Sequence, residues 1–413
     1  MTLIGTGLIV RLTCYSVAIL TVLPYATSQA EEQGLARAAE YLWSQQSHEG
    51  GWHSAQYGVL RSGQALTPFV LHALLQVPEE VFPRPEGGEK RAFRYLYSLI
   101  ENQGHLGHAD PEVAEYPVYS TAYALRCLLE RDATFVDDIT TGVDGIPRNS
   151  AMLNSLVERR RILVEQMESF LESAQFTESN GFDPKHVAYG GWGFDKPLQP
   201  GEPGHMDLAH TRRALEAIAC LHQRHPVSSE THSDRVFRPI VQRAEVFLRT
   251  VQKYPGKPTL PFDGGFYFSP VVHDANKGRL EEEPAPHWRS YATATCDGIL
   301  ALLAAGVPRD DPRVAAAVKW LEEHTDVNYP QGVPTDHPEP WGEAIRFYHY
   351  TVRAEVYRKL NYPADERASL AAALLKHQRA DGSFVNDVSP LMKEDDPMLC
   401  TALAVEALAN CQP

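Results

Sequence analysis

The 413-residue chain carries a formal net charge of −15, with 38 Lys and Arg against 53 Asp and Glu. Because a nucleic-acid-binding surface concentrates positive charge and this sequence contains no long basic run, nucleic acid is excluded as an expected partner. Five of the six cysteines lie beyond residue 30 without a close CxxC pair, which argues against a disulfide scaffold or zinc ribbon and favours buried apolar thiols: Cys127, Cys220, Cys296, Cys400 and Cys411.

The N-terminal segment has the pattern of an export leader. Arg11 precedes an apolar run at 12–23, and small residues ending at Ala30 offer a cleavage site. The apolar run is short for a membrane span. We expect residues 1–30 to be a signal peptide and the mature chain to be secreted or periplasmic. Membrane association remains open, but not as an integral protein once the leader is cleaved, and an uncleaved anchor is the alternative.

An internal repeat dominates the rest of the chain. A threonine followed three residues later by a small or apolar residue recurs six times within apolar helical segments: Thr67, Thr121, Thr211, Thr295, Thr351 and Thr401. An amphipathic helical segment precedes each copy. Helices that are apolar around most of their circumference must be covered by neighbours. We therefore predict an all-α (α/α)6 toroid of six helical hairpins, with inner and outer helix rings, as one domain over 31–413 with insertions near 131–160 and 222–240.

A glycine turn followed by an aromatic residue connects the helices of the best-preserved hairpins. The first and last copies share the pattern Q-x-x-x-G-x-[WF], beginning at Gln46 and Gln378. This pattern resembles the QW motif of squalene-hopene cyclases and their relatives, so the chain is similar to the terpenoid cyclase and protein prenyltransferase superfamily. The resemblance implies an α/α toroid with a central cavity for an apolar, isoprenoid ligand.

The third repeat is similar to the segment that supplies the acid in squalene-hopene cyclases, D-x-D-D-T-A. With Thr211 setting the register, Asp207 matches the first Asp, whereas Ala209 replaces the proton-donating Asp and His210 replaces the last one. The position that the resemblance implies for the acid therefore has no carboxyl group. Asp207 has a second interpretation as the N-cap of the third inner helix.

The prenyltransferase branch binds zinc through an Asp, a Cys and a His. Residues 346–349 resemble its R-D-F-Y-H segment without the Asp, and Cys296 and Asp297 stand in an order different from the D-x-C of that branch. Adjacent residues on a helix point about 100° apart, so these two are not expected to reach the same ion. We predict neither a metal nor another cofactor. A site shared by Cys296 and His349 stays open as an alternative.

Candidate functional residues are expected near the start of the inner helices, where a closed helical ring opens into its cavity. The acid–base candidates are Asp207, His210, Asp297 and His349. The candidates for contact with an apolar ligand are aromatic residues near the same helix starts: Phe69, Tyr119, Trp288, Tyr291, Trp341, Phe347 and Tyr348.

Three classes of function are compatible with these patterns. The leading one is a secreted toroid that binds an apolar small molecule or lipid, with or without catalysis; as an enzyme it would resemble a cyclase, isomerase, lyase or transferase. The second is a non-catalytic binding or scaffold protein, since the acid of the cyclase motif is missing. The third is a secreted carbohydrate-active hydrolase or lyase. A hydrolase needs two facing carboxylates, for which Asp207 and Asp297 are the candidates.

Overall fold

The computed structural model describes residues 29–131, 150–224, 236–254, 262–280 and 287–412. Within these ranges the chain alternates between two sets of helices. The outer set comprises α1 (Gln29–Ser44), α3 (Gly88–Gln103), α5 (Ser150–Ala174), α7 (Arg238–Val251), α9 (Pro312–Glu322) and α12 (Ala364–Leu375). The inner set comprises α2 (Leu66–Leu75), α4 (Pro117–Leu129), α6 (Leu208–Arg224), α8 (Ala292–Ala304), α11 (Arg346–Leu360) and α13 (Pro397–Cys411).

Short elements lie in the loops that lead to the inner helices. A one-turn helix, α10 (Trp341–Ala344), precedes α11. Two strands, β1 (Arg279–Leu280) and β2 (His287–Trp288), pair antiparallel ahead of α8. These elements therefore sit at the helix starts where functional residues are expected.

The inner helices form a closed ring. In chain order each inner helix packs against the next, and α13 packs back against α2. The outer helices pack on the outside of this ring, and α12 also contacts α1. Because the first and last inner helices are neighbours, the structure is a closed toroid and not an open solenoid. The predicted (α/α)6 fold class is confirmed.

The difference in helix composition explains the two layers. Every residue from 66 to 74 of inner helix α2 is buried. Outer helix α7 buries only one stripe at helical spacing: Ile240, Val241, Ala244, Phe247, Leu248 and Val251. A helix apolar on all sides is stable only when enclosed, whereas a striped helix can face water. The predicted assignment of inner and outer helices is thus confirmed.

The recurring threonines attach the loops to the inner helices. The Thr67 hydroxyl accepts the backbone N–H of Trp52 at 2.9 Å. The same bond recurs in four more hairpins, from Leu106 to Thr121, Trp192 to Thr211, Phe266 to Thr295 and Phe384 to Thr401. In the fifth repeat the Thr351 hydroxyl lies instead 2.9 Å from the carbonyl oxygens of Phe347 and Leu403. The threonine repeat is therefore structural.

In four of the hairpins, a glutamine at the end of the outer helix connects the following loop to the next outer helix. Gln46 Nε2 donates to the carbonyl oxygen of Gly50 in its own loop and to that of Gly88 at the start of α3. Gln175, Gln252 and Gln378 each make an equivalent pair of bonds. Insertions lengthen the spacing after Gln175 and Gln252, so the Q-x-x-x-G pattern does not identify these two residues from the sequence.

The loop glycines allow a close approach to the neighbouring helix. Gly50 has φ +105, and a Cβ there would lie 2.3 Å from the carbonyl oxygen of Arg91. Gly382 has φ +92, and its Cβ would lie 2.4 Å from the carbonyl oxygen of Arg37. Only glycine combines this backbone conformation with this proximity.

The five described cysteines are unpaired, and all except the half-buried Cys220 are buried, which confirms the expected apolar thiols. None of the described helices has both the length and the apolar character that crossing a membrane requires. Most of the predicted leader, through residue 28, lies outside the described residues, as do 132–149 and 225–235 within the predicted insertions.

Candidate active site

The six inner helices begin at one end of the ring, because each follows an outer helix and a loop. We call this end the mouth. Half-buried aromatic side chains lie near these helix starts: Tyr116, Tyr119, Phe194, Phe268, Trp288 and Trp341. The ring of Tyr116 lies 4.9 Å from that of Phe194 and 6.5 Å from that of Tyr119. The mouth therefore offers apolar surface that the fold leaves partly uncovered.

Asp207 and His210 form a dyad at the start of α6. Asp207 is 1% exposed, and its Oδ1 accepts the backbone N–H of His210 at 2.9 Å, which confirms the predicted N-cap. Its Oδ2 lies 2.9 Å from Nδ1 of His210 and 3.2 Å from Nε2 of His205. Because a carboxylate only accepts hydrogen bonds, both imidazoles direct an N–H toward it.

Two opposing effects set the pKa of Asp207. Burial raises the pKa, but the charges of His210 and His205 and their hydrogen bonds outweigh burial and hold it below the usual range for Asp. In return, the hydrogen bond to Asp207 raises the pKa of His205, which is the more exposed imidazole. Asp207 is therefore ionised at neutral pH.

The second ring nitrogen of His210 has no partner among the described residues. Nε2 is buried without a hydrogen bond. The centres of the His210 and Tyr119 rings lie 4.3 Å apart. Since Nδ1–H donates to Asp207, the neutral tautomer carries its lone pair on Nε2. An imidazole oriented by a carboxylate with a free nitrogen is the arrangement of a general base.

Asp297 lies on the adjacent inner helix, α8, and is fully buried. The hydroxyl of Tyr348 lies 2.8 and 2.9 Å from its two oxygens, and Arg212 Nη1 donates to Oδ1 at 2.9 Å. Burial raises the pKa of Asp297 to about 6, because it exceeds the opposing effect of Arg212. The two predicted carboxylates thus have pKa values shifted in opposite directions.

Tyr119 and Tyr291 lie near both carboxylates. Burial raises the pKa of each phenol, and the charges of Asp207 and Asp297 add to the effect in both cases. Tyr291 is also the residue that precedes α8. The structure therefore brings four predicted residues, two acidic and two aromatic, into one region of the ring interior.

Arg212 and Arg213 begin a group of buried charges beyond the mouth. Arg212 donates to Glu216 at 2.8 Å and to Glu355. Arg213 donates to the same two carboxylates, each at 3.0 Å. Because Glu355 lies on α11 and α8 stands between α11 and α6 in the ring, these bonds pass through the ring interior and join helices that are not neighbours.

The group extends to the remaining inner helices. Arg126 on α4 lies 3.3 Å from Glu216, and Glu406 on α13 lies 2.6 Å from Nδ1 of His72 on α2. The central ionic cluster comprises His72, Arg126, Arg212, Arg213, Glu216, Asp297, Glu355 and Glu406. The cluster thus draws side chains from all six inner helices into the interior of the ring.

The sequence patterns above do not predict this cluster, but one signal for it exists. His72, Arg126, Glu216 and Glu406 each stand five residues after their repeat threonine. A titratable residue at one register position in four of six buried helices indicates side chains that meet inside the ring. This regularity becomes visible only after the inner helices have been identified and aligned on their threonines.

His349 lies apart from the dyad. Its Nε2 is 3.2 Å from the carbonyl oxygen of Asp326, in the loop after α9, and its Nδ1 is buried without a partner. Burial lowers its pKa to about 3. The imidazole therefore faces the outer ring and is neutral.

The other predicted aromatic residues occupy two kinds of position. Phe69 is 8% exposed and lies 5.1 Å from Tyr123, while Phe347 is 1% exposed and packs 6.0 Å from Phe384, so both are core residues. Trp288 and Trp341 are half-buried at the mouth.

Lys277 is a further residue at the mouth that no sequence pattern indicates. It is 4% exposed, and its Nζ lies 4.2 Å from the centre of the Trp341 ring and 5.2 Å from that of Phe268. Burial lowers its pKa to about 8, although the charge of Asp207 opposes this effect. Lys277 is thus a buried amine close to the dyad.

In the described part of the chain, no group of three or more His, Cys, Asp or Glu side chains could hold a metal ion. A cavity of about 430 Å³ lies on the outer wall, between the end of α3 and α5, and is lined by His105, Phe170 and Lys196 among others. None of the predicted site residues lines this cavity.

No model of a known protein family matches the sequence, and no curated protein is significantly similar to it. Among solved structures, an arginine-to-alanine variant of the type II terpene cyclase MstE from Scytonema, in complex with geranylgeranyl dihydroxybenzoate, is 14% identical with a TM-score of 0.50, covering 92% of this chain and 97% of that one. An inactive variant of the α-1,6-mannanase GH76A of Salegentibacter sp. HEL1_6, in complex with α-1,6-mannotriose, is 9% identical with a TM-score of 0.50, covering 92% of this chain and 100% of that one. At such identities the likeness establishes the fold alone, and at that level the predicted resemblance is confirmed.

Proposed function

From the shared toroid fold, we propose that this protein is a secreted acid–base enzyme that binds an apolar, isoprenoid-type ligand at the mouth of the ring. The observation that carries the proposal is the buried, unpartnered Nε2 of His210, which Asp207 orients beside Tyr119. A ligand at the mouth would supply the partner that this nitrogen lacks.

The surroundings of His210 favour an apolar ligand. The rings of Tyr116, Tyr119 and Phe194 form a connected aromatic wall, and Phe194 lies 6.4 Å from His210. Aromatic rings offer large apolar contact area at fixed geometry, which suits a branched hydrocarbon. A terpene cyclase with this fold is described with a geranylgeranyl compound bound.

The central ionic cluster forms the floor of the proposed site. Separating its charges to admit a hydrocarbon would leave buried ions unpaired, at a cost of about 3–5 kcal/mol for each broken pair. A ligand is therefore confined to the mouth. This geometry favours reaction at one end of the ligand over the enclosure of a long chain along the axis.

The dyad accounts for proton transfer. His210 Nε2 takes a proton from an activated carbon or hydroxyl of the ligand, and the Asp207 carboxylate stabilises the imidazolium that results. Return of the proton to another atom gives an isomerisation, whereas loss of a leaving group gives an elimination. General acid–base catalysis of this kind contributes about 10²–10⁴-fold to a rate.

Hydrolysis of a polysaccharide is the second candidate function. It is favoured by the opposite pKa shifts of Asp207 and Asp297, because an ionised and a protonated carboxyl form an acid–base pair. The mannanase with this fold is described with a mannotriose bound. Asp297, however, already bonds to Tyr348 and Arg212, so it has little capacity left for a substrate.

Deuterium exchange tests the proposal directly. The purified protein is incubated in D2O with a panel of isoprenoid alcohols, acids and aldehydes, and mass spectrometry measures deuterium in the recovered compounds. We expect incorporation that His210→Gln abolishes. The matched control, His222→Gln, changes an imidazole on the same helix that pairs with Glu168 and should leave exchange intact.

Two results would overturn the proposal. One is exchange that is unaffected by His210→Gln. The other is release of reducing ends from a mannan or glucan with no exchange into any isoprenoid, which would establish the second candidate.

Export is part of the proposal and has its own test. N-terminal sequencing of the protein from culture medium or periplasm should begin near Glu31. Intact Met1 in the membrane fraction would instead establish the anchor.

A further inference from the structure

We propose that Lys277 is a nucleophilic amine that captures carbonyl-bearing ligands as an imine at the mouth of the ring. This is an activity beyond proton transfer by the dyad. The substrate class it adds is an aldehyde or ketone.

The position of Lys277 favours reaction over a role in surface charge. Lys277 is 4% exposed, and its Nζ lies over the rings of Trp341, which is half-buried, and Phe268. The hydrogen bond it makes is to the carbonyl oxygen of Ala275, in the preceding turn. The amine is thus held between aromatic faces at the edge of the proposed ligand site.

The charge environment separates Lys277 from the other buried lysine of the described chain, Lys253. Lys253 is 2% exposed and forms an ion pair with Asp263 at 2.9 Å. Among the described residues, no carboxylate lies within 4 Å of Lys277 Nζ. Two ionisable groups interact electrostatically with Lys277. The charge of Asp207 favours the ammonium form of Lys277, and the charge of Lys277 in turn lowers the pKa of His205.

Desolvation makes this amine available as a nucleophile. Burial lowers the pKa of Lys277 to about 8, so roughly a tenth of the molecules carry a neutral amine at pH 7. Only the neutral amine has the lone pair that attacks a carbonyl. Lysines desolvated among apolar side chains serve in this way in other enzymes.

The reaction balances without any further reagent. The Nζ lone pair forms a bond to the carbonyl carbon, while the π electrons of the carbonyl move to its oxygen. One proton passes from nitrogen to oxygen and gives a carbinolamine. The nitrogen lone pair then closes the C=N bond as the hydroxyl leaves, and the hydroxyl takes up the second N–H proton to become water. The products are one imine and one water. The imidazoles of His205 and His210 are the nearby groups able to carry the proton.

The first experiment measures the amine in the resting protein. Short exposure to formaldehyde and cyanoborohydride at pH 6 to 10, followed by peptide mass spectrometry, gives the extent of methylation at each lysine. We expect methylation of Lys277 to rise to half its maximum near pH 8. Lys253 should stay unmodified in the folded protein because its amine is paired. Equal methylation of both residues, or a midpoint near pH 10, would overturn the assignment.

The second experiment traps the imine with a larger carbonyl. Citral, an isoprenoid aldehyde, and hexanal are each added with cyanoborohydride, and the adduct is located by peptide mass spectrometry. We expect one adduct per chain at Lys277, absent in Lys277→Arg, which keeps the cation but not the nucleophile. The matched variant Lys253→Arg should retain the adduct. Thermal unfolding of both variants checks that each remains folded.

The outcomes distinguish this inference from the proposed function, on which only the choice of citral rests. An adduct with hexanal but not with citral supports the amine and contradicts an isoprenoid ligand. Deuterium exchange without any adduct at Lys277 supports the dyad and overturns the amine. Adducts distributed over exposed lysines such as Lys196 and Lys319, and unchanged in Lys277→Arg, would also overturn it.

Discussion

Gln378 Nε2, in the last hairpin, donates a hydrogen bond of 2.8 Å to the carbonyl oxygen of Gly34 in the first helix. The same amide bonds to Gly382, whose backbone lies against Arg37 of α1. The last hairpin is thus joined to the first by the same pair of glutamine hydrogen bonds that joins consecutive hairpins elsewhere in the ring. Closure therefore depends on the fit between this loop and α1.

The glycine at this junction should tolerate no side chain. Gly382→Ala adds a Cβ 2.4 Å from the Arg37 carbonyl oxygen at φ +92, so we expect overpacking of about 1–3 kcal/mol on top of the backbone strain. Gly306→Ala is the matched control, because Gly306 has φ +77 with nothing within 4 Å of its Cβ, and should show only the strain, about 1–2 kcal/mol. Urea unfolding measures both, and equal losses would contradict the close approach.

The central ionic cluster should depend on Glu355. Glu355→Gln leaves Arg212 and Arg213 short of a counter-charge in a buried site, so the free energy of unfolding should fall by about 3–5 kcal/mol. Glu165→Gln removes an exposed partner of Arg161 and should cost less than about 1 kcal/mol. A Glu355→Gln variant as stable as the control would show that the charges do not depend on one another.

Asp207 should have two separable roles. Asn caps a helix about as well as Asp, so Asp207→Asn should keep most of the folding stability, whereas Asp207→Ala should lose about 1 kcal/mol more. Because Asp207 raises the pKa of His205, both variants should lower that pKa, which NMR titration measures. Deuterium exchange into ligand should fall about 10²-fold or more in either variant. An unchanged His205 titration would contradict the shared carboxylate.

Stability should fall with rising pH because of Glu394. Burial raises the pKa of this carboxyl to about 7, above its unfolded value, although it accepts the backbone N–H groups of Phe347 and Tyr348. The protonated Glu394 therefore contributes its full stabilisation at pH values below its pKa in the unfolded chain. This contribution to the free energy of unfolding, up to about 3 kcal/mol, is lost as the pH rises through about 7.

Comparison with Glu394→Gln isolates this contribution. The lowered pKa of His349 acts in the opposite sense, removing stability as pH falls, but it is common to both proteins and cancels. The difference in unfolding free energy between wild type and variant should thus be larger at pH 5 than at pH 8. A difference independent of pH would contradict the raised pKa.

Squalene should not be cyclised by protonation. Ala209 stands at the position of the proton donor, and Asp207 is held ionised by His210 and His205. Incubation with squalene, followed by gas chromatography and mass spectrometry, should yield no cyclic triterpene. Cyclisation that disappears in Asp297→Asn would instead identify Asp297, with its raised pKa, as the acid.

The fold could be predicted from the sequence because each hairpin carries its own copy of the signal. Thr67 and its equivalents, the loop glycines and the contrast between apolar and striped helices are all local patterns. Among the candidate site residues, Asp207 and His210 lie three apart on one helix start, so their pairing follows from local geometry. Aligning Thr211 with the repeat threonine was therefore enough to select both residues as candidates.

Other parts of the site depend on contacts between distant segments. The Arg212–Glu355 bond joins residues 143 apart in the chain, and the His72–Glu406 bond joins residues 334 apart. No local pattern specifies which side chains meet across a ring, because the meeting depends on helix rotation and on closure. His349 shows the same limit, since its position before a repeat threonine suggests the cavity, whereas the structure turns it toward α9.

The sequence by itself determined that the chain forms six hairpins with an enclosed inner layer, since periodicity and burial are properties of single helices. Only the tertiary structure decided what the enclosed space contains. Closing the ring brings Arg212, Arg213 and Glu355 together in its interior, where low polarity makes isolated charges costly and pairing necessary. The same closure leaves His210 Nε2 and Lys277 at the mouth without such pairing, and there the chemistry of the protein is expected.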